Sequence, residues 1–353
     1  MRIVVTGASG NMGSAVLRAL GEEDAVDSIV GLARREPSTP LPKIEWRAAD
    51  VLDAPLEEHF AGADAVVHLA WLIQPARDRA QTRAVNVEGS RRVFRAAAAA
   101  GVGALLHASS VGAYSPHPGN QRVDESWGTQ GIPTSFYSRD KAAAERELDA
   151  VESAHGDRLR VVRLRPGIVV QREAAAEQRR LFLGPFVPGS LLRPALLPVL
   201  PLPAALRLQA VHAHDLADAW RRVITSPDAH GAYNVAAEPV LDGHGFARAL
   251  GSRYVPVPTA PVRALAAATY AARLQPTEAG WLDLGTQAPL MDCSRIRDEL
   301  GWTPRRDGVE ALEDVLAGLR EDAGADTPPL HPRAGGRARV REVLSGLGAR
   351  RGF

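Results

Sequence analysis

Residues 2–13, RIVVTGASGNMG, restrict what this chain can fold into more than any other stretch. The β-branched run RIVVT reads as a short strand buried in a parallel sheet. Glycines follow at once, at 7, 10 and 13, and then a helix-forming SAVLRAL. Strand, glycine turn and helix in that order is the context of a dinucleotide-binding turn. The glycines permit a tight turn and close approach of backbone to a pyrophosphate, while the helix N-terminus offers N–H groups and a positive dipole end. The spacing is G-x-x-G-x-x-G rather than G-x-G-x-x-G, with Ser9, Asn11 and Met12 inside the turn.

The alternation continues. SIVGLA (28–33), IEWRAAD (44–50), DAVVHLAW (64–71) and ALLHASS (104–110) read as further strands, and NVEGSRRVFRAAAAA (86–100) as a helix beginning at Asn86. Strands alternating with helices predict an α/β fold, a Rossmann-type doubly wound parallel sheet. In such a sheet ligands sit beyond the carboxyl ends of the strands. Arg34 and Arg35 close the second strand, about 20 residues past the glycines, where an acid would suit the ribose of NAD and an arginine the 2′-phosphate of NADP. The expectation is NADP as the preferred cofactor, and Glu36 keeps NAD open.

Tyr137 and Lys141 are four apart at the head of a long helical stretch, so phenol and ammonium share one helix face. A cation beside a phenol favours the phenolate and draws its pKa, about 10 when free, toward neutrality. Of 42 Lys and Arg only Lys43 and Lys141 are lysine. A compact ammonium with three donors at 141 is therefore a departure from the habit of this chain.

Net charge of +1 gives no case for nucleic acid as a partner. A single cysteine, Cys293, rules out an internal disulfide and fits a reducing compartment. MRIVVTGASG has no apolar leader pattern, and the cytoplasm is the expected location. His212, His214 and Asp215 resemble a metal pair, since i and i+2 share a strand face, but no third ligand cluster joins them, and no metal is expected.

These residues taken together resemble the extended short-chain dehydrogenases/reductases, the NAD-dependent epimerase/dehydratase family. The resemblance is carried by TGASGNMG, Asp50-Val51, His68-Leu69-Ala70, Asn86-Val87-Glu88-Gly89, Ser109-Ser110 with Tyr114, and Tyr137-x-x-x-Lys141. It continues through Leu164-Arg165-Pro166-Gly167, Val211-His212-x-His214-Asp215, Tyr233-Asn234-Val235 and Leu300-Gly301-Trp302-Thr303-Pro304, about residues 1 to 320. It implies an enzyme in which Tyr137 is the acid/base, Ser110 rather than Ser109 hydrogen-bonds the reacting oxygen, and Lys141 holds the nicotinamide ribose and lowers the tyrosine pKa. It also implies a cofactor lying along Gly7, Gly10 and Gly13 with Ser9, Asn11 and Met12. Asp50 and Val51 would meet the adenine, Leu69, Ala70 and Trp71 the central phosphates and ribose, and Pro166 to Ile168 the nicotinamide. Asn86 is implied more weakly, as a cofactor contact or as support for its helix. Family members carry a similar V-H-x-x-D segment without a metal. They often pair as homodimers, here through helices 86–100 and 137–152.

The expected organisation is a dinucleotide-binding domain over 1–170, rejoined by 211–237, with a substrate-binding part over 171–210 and 238–320 and a loose tail over 321–353. The run 181–208 is strongly apolar, but six prolines and Arg193 exclude a continuous membrane helix. It reads as core, a substrate pocket, a dimer face or a membrane-surface segment. The residues support a small-molecule substrate, either a nucleotide sugar or an apolar ketone or alcohol, oxidised, reduced or epimerised at a secondary carbon. Val111-Gly112 after Ser110 lacks the acid pair of a dehydratase. A non-catalytic dinucleotide-sensing module on the same fold is the rival, although such modules commonly lose the Tyr or Lys.

Overall fold

The computed structural model describes residues 1–38, 40–73, 77–183 and 196–332. Among these, seven strands form one parallel sheet: β1 (Arg2–Thr6), β2 (Ser28–Ala33), β3 (Ile44–Ala48), β4 (Ala65–His68), β5 (Ala104–Ala108), β6 (Arg160–Pro166) and β7 (Gly231–Val235). Their order across the sheet is β3-β2-β1-β4-β5-β6-β7. The order reverses direction at β1, which makes the gap between the ends of β1 and β4 the switch point where ligands bind in such sheets.

Period-two alternation in β1 explains why both faces are covered. Ile3 and Val5 enter one hydrophobic cluster and Val4 the other. The first cluster lies beneath α1 (Asn11–Gly21) and α4 (Ala213–Thr225), where Trp220 is fully buried. The second lies beneath α2 (Ser90–Ala99) and α3 (Phe136–His155), with Phe94 and Leu148 at its centre. Burying such side chains is worth roughly 1.5–3 kcal/mol each.

A third cluster gathers Val170, Ala210, Leu241 and Leu250 with Val315 and Leu319 of α6 (Gly308–Arg320). Nearby, Val199–Pro203 pairs in parallel with Arg253–Val257. The apolar run is thus a strand at its end, and its residues 184–195, with Arg193, lie outside the described residues. No helix among the described residues is long and apolar enough to cross a membrane. Within residues 321–332, Leu330 is fully buried and Arg180 donates to the Pro329 carbonyl. The basic stretch 339–351 lies outside the described residues.

Candidate active site

Because every strand of the sheet runs the same way, the residues that follow each strand collect along one edge. Gly7–Gly13 follow β1, Arg34 and Arg35 follow β2, Asp50 and Val51 follow β3, Leu69–Trp71 follow β4, Ser109 and Ser110 follow β5, and Pro166–Ile168 close β6. The glycine turn is tight. Gly7 has φ +68°, and a Cβ there would lie 2.5 Å from the Ala70 nitrogen. A Cβ at Gly13 would lie 2.5 Å from the carbonyl oxygens of both Gly7 and Ala8. Gly10 is the N-cap of α1 and has no side chain to cap it, so the first N–H groups of the helix face the turn without a side-chain acceptor. That is a backbone cradle suited to a phosphate. The Asn11 Nδ2 donates to the Val169 carbonyl at 3.2 Å, and Gln171 Nε2 donates to the Asn11 carbonyl at 2.9 Å. Thr327 Oγ1 donates to the Ser9 carbonyl at 2.9 Å.

Arg34 and Arg35 are exposed beyond β2. Glu36, the acid that kept NAD open, has its Oε1 occupied by the Ala48 N–H at 2.9 Å. Asp50 accepts from the Leu52 N–H at 3.0 Å, and Val51 is buried against Gly89, where a Cβ would come within 2.7 Å of it. Asn86 is fully buried and binds both backbone groups of Leu72, its Oδ1 accepting at 2.7 Å and its Nδ2 donating at 2.8 Å. It therefore fixes the loop carrying Trp71. Met12 packs against the first cluster, Pro166 is buried, and Ile168 is 38% exposed in the short strand Ile168–Val170.

Ser135 caps α3 and brings Tyr137 into its first turn. Ser138 stitches that turn to the preceding loop, donating to the Gly112 carbonyl and accepting from the Ile132 N–H. Gly112 lies in the short helical turn Val111–Ala113, whose N-cap is Ser110. A Cβ on Gly112 would sit 2.9 Å from the Tyr137 ring. The two serines divide: Ser109 donates to Glu145, while the Ser110 hydroxyl accepts from the Gly112 N–H at 3.0 Å and stands beside the Tyr137 ring at Gly112. Lys141, 2% exposed, donates to the Ala108 carbonyl at 2.7 Å, with Nζ 3.5 Å over the Trp71 ring and 6.0 Å from the Tyr137 ring.

Burial dominates the electrostatics here. It pushes the phenol of Tyr137 up to about 12, against the neighbouring Ser110 hydroxyl, which lowers it. It pushes Lys141 down to about 7, against the upward pull of Glu145 and Asp140. The expected downward pull of Lys141 does not act on Tyr137 here: burial raises the phenol, and the Ser110 hydroxyl is what works against it. Glu145, one turn after Lys141, is buried, which disfavours its charge. Hydrogen bonds from Arg165 at 2.8 and 2.5 Å outweigh that and keep it ionised. Its i+4 spacing from Lys141 was visible in the sequence.

Three aromatic residues gather at the phenol. Trp281, from α5 (Ala279–Gln287), lies 4.9 Å from the Tyr137 ring at 34°. Trp71 stands edge-on to Tyr137 at 6.1 Å, and Phe182 edge-on to Trp281 at 5.3 Å. Neither Trp281 nor Phe182 carries a local signal in the sequence. The strand expected through His214 instead ends at His212, which caps α4 by accepting from the His214 N–H at 3.2 Å. The two histidines therefore lack the shared strand face of a ligand pair; His212 also meets Arg306 and Asp314.

The model of the NAD dependent epimerase/dehydratase family matches residues 3–236. An uncharacterised protein of Mycobacterium tuberculosis is 29% identical over 331 residues, covering 92% of this chain but 31% of that protein. The chain thus spans about a third of that relative. A second uncharacterised protein of the same organism is 26% identical, covering 90% of this chain and 83% of that protein. Among solved structures, UDP-glucose 4-epimerase of Thermus thermophilus in complex with NAD has a TM-score of 0.66 at 22% identity, over 91% of this chain and 99% of that one. UDP-glucuronic acid 4-epimerase from Bacillus cereus, in complex with UDP-glucuronic acid and NAD, has a TM-score of 0.65 at 16% identity, with the same coverage of each chain. At those identities the likeness is one of fold. By its sheet order, its glycine turn and the match of its first two thirds, this chain belongs to the NAD dependent epimerase/dehydratase family.

Proposed function

We propose that the chain is an NADP-preferring oxidoreductase or epimerase acting at a secondary alcohol or ketone carbon. The observation that carries this is the gathering of the three side chains: Ser110 Oγ and the Tyr137 ring both flank Gly112, at 3.4 and 2.9 Å from where its Cβ would stand, and Lys141 Nζ lies 6.0 Å from the same ring. Gly7, Gly10 and Gly13 with the first amides of α1 would hold the cofactor pyrophosphate, and Lys141 its nicotinamide ribose. Bound there, the nicotinamide supplies hydride transfer. Tyr137 is a neutral phenol at pH 7 and keeps its proton until a substrate oxygen gains charge beside it. Ser110 orients that oxygen through its hydroxyl. Lys141, when protonated, opposes the cost of the phenolate left behind.

Exposed Arg34 and Arg35, with Glu36 engaged elsewhere, support NADP. The NAD in the crystals of the epimerases supports the rival reading, an epimerase that keeps NAD and regenerates it in place. Mass spectrometry of the cofactor that copurifies separates the two. Loosely held NADPH, bound in preference to NADH, is expected, whereas tightly retained NAD would transfer the assignment to an epimerase. Tyr137→Phe is expected to abolish turnover and leave cofactor binding intact. Undiminished turnover would remove Tyr137 from the mechanism, and binding without turnover on any ketone or alcohol would favour a sensing module.

A further inference from the structure

We propose that the site takes a flat, uncharged aromatic or fused-ring ketone or alcohol, stacked on Trp281, rather than a sugar carrying a nucleoside diphosphate. The proposal rests on the reading of Tyr137 as the acid/base and names the substrate class it serves. Two independent observations carry it.

The first is shape. Trp281 lies beside the reactive phenol at 4.9 Å, Trp71 stands edge-on to that phenol at 6.1 Å, and Phe182, 37% exposed, stands edge-on to Trp281 at 5.3 Å. Rings at such separations favour a further flat π-system, offset-stacked or edge-on, beyond the gain from apolar burial.

The second is charge. Recognition of a diphosphate requires guanidinium groups with hydrogen bonds to give. Around these rings three guanidiniums among the described residues are engaged. Arg79 is bound to Glu278, Arg83 lies 3.5 Å from Asp140, and Arg263 makes a two-pronged pair with Asp283 at 2.8 and 2.9 Å. Glu278 and Asp283 bracket Trp281 in sequence, and Asp140 follows Tyr137 by three residues. A diphosphate placed there would meet these carboxylates or strip them of their partners, and the Asp140 and Asp283 carboxylates, 9% and 4% exposed, would then be left unpaired, which is unfavourable. A neutral ring system disturbs none of them.

The test is calorimetry on Tyr137→Phe protein saturated with NADP, titrated with 2-tetralone and with UDP-glucose. The expected result is 2-tetralone binding about tenfold or more tighter than UDP-glucose, a difference of about 1.4 kcal/mol. Trp281→Ala in that background should weaken 2-tetralone about tenfold, and Trp281→Phe should restore most of the affinity. Should Trp281→Ala not fold, the loss of 2-tetralone-dependent quenching of tryptophan fluorescence in Trp281→Phe reads the same stacking. Tighter binding of UDP-glucose, or a 2-tetralone affinity indifferent to Trp281, overturns the proposal. Since binding is read in a variant without the phenol, the two readings fail separately. Ketones that bind in the slot but never react with NADPH in the wild type would defeat the catalytic assignment and leave the slot standing.

Discussion

Lys141 is one of two lysines in a chain that otherwise carries positive charge on arginine. Its burial costs stability, and the cost depends on pH in a way that can be worked out. Its pKa is about 7 in the fold, below the ordinary lysine value. Between those values the unfolded chain binds a proton that the folded chain does not, so the stability of the wild type rises with pH across that window. Lys141→Met removes this dependence. The variant should be the more stable protein at pH 7, by on the order of 1 kcal/mol or more, and lose that advantage toward pH 10, as followed by urea unfolding at several pH values. It should also be inactive. A second residue-scale prediction concerns cofactor choice. Replacing Arg34 and Arg35 by alanine should weaken NADPH about tenfold, roughly 1.4 kcal/mol, and leave NADH unchanged, as read by fluorescence titration. At this scale the sequence was most informative where chemistry depends on short spacings, as in Ser110, Tyr137 and Lys141. It was silent on Trp281, which reaches Tyr137 from far along the chain through a fold that no local pattern records.

Asn86 is an element-scale device. The helix that carries it starts earlier than its sequence suggested, at Arg79, and passes through a wider turn, Ala84–Gly89, before continuing as α2. Such turns insert a residue and re-aim the side chains around it. Here Asn86 faces inward and holds the loop after β4, and with it Trp71. Asn86→Ala leaves two backbone groups of Leu72 unpaired. It should cost about 1–3 kcal/mol in urea unfolding with the slope unchanged, and should also weaken NADPH binding. The first five strands were legible, β1 and β2 to the residue and the next three with ends set too far along, because a run buried on both faces is strongly apolar, whereas β6 and β7 were not read as strands. The wider turn was not, since apolar spacing in a helix cannot report one extra residue. His212 was misread as mid-strand for a related reason: a strand ending in its own helix cap looks like a longer strand.

At the scale of the whole molecule, the chain between residues 320 and 332 behaves as part of the body. Arg172 pairs with Glu321, and the Ala176 N–H donates to the Ala323 carbonyl at 3.3 Å. Leu330→Ala should therefore cost about 2–5 kcal/mol by thermal or urea unfolding, where a loose tail would lose almost nothing. A homodimer through the helices over 86–100 and 137–152 remains the expected assembly. Sedimentation should report twice the mass of 37.6 kDa, and a monomer at micromolar concentration would reject it. The hydrogen bond from Thr327 to Ser9 spans 318 positions, and that separation bears on how the protein is made. Synthesis proceeds at about 5–20 residues per second, N-terminal parts folding first. The glycine turn thus leaves the ribosome tens of seconds ahead of the residue that ties it down, and the growing chain carries that turn unfastened until Thr327 emerges.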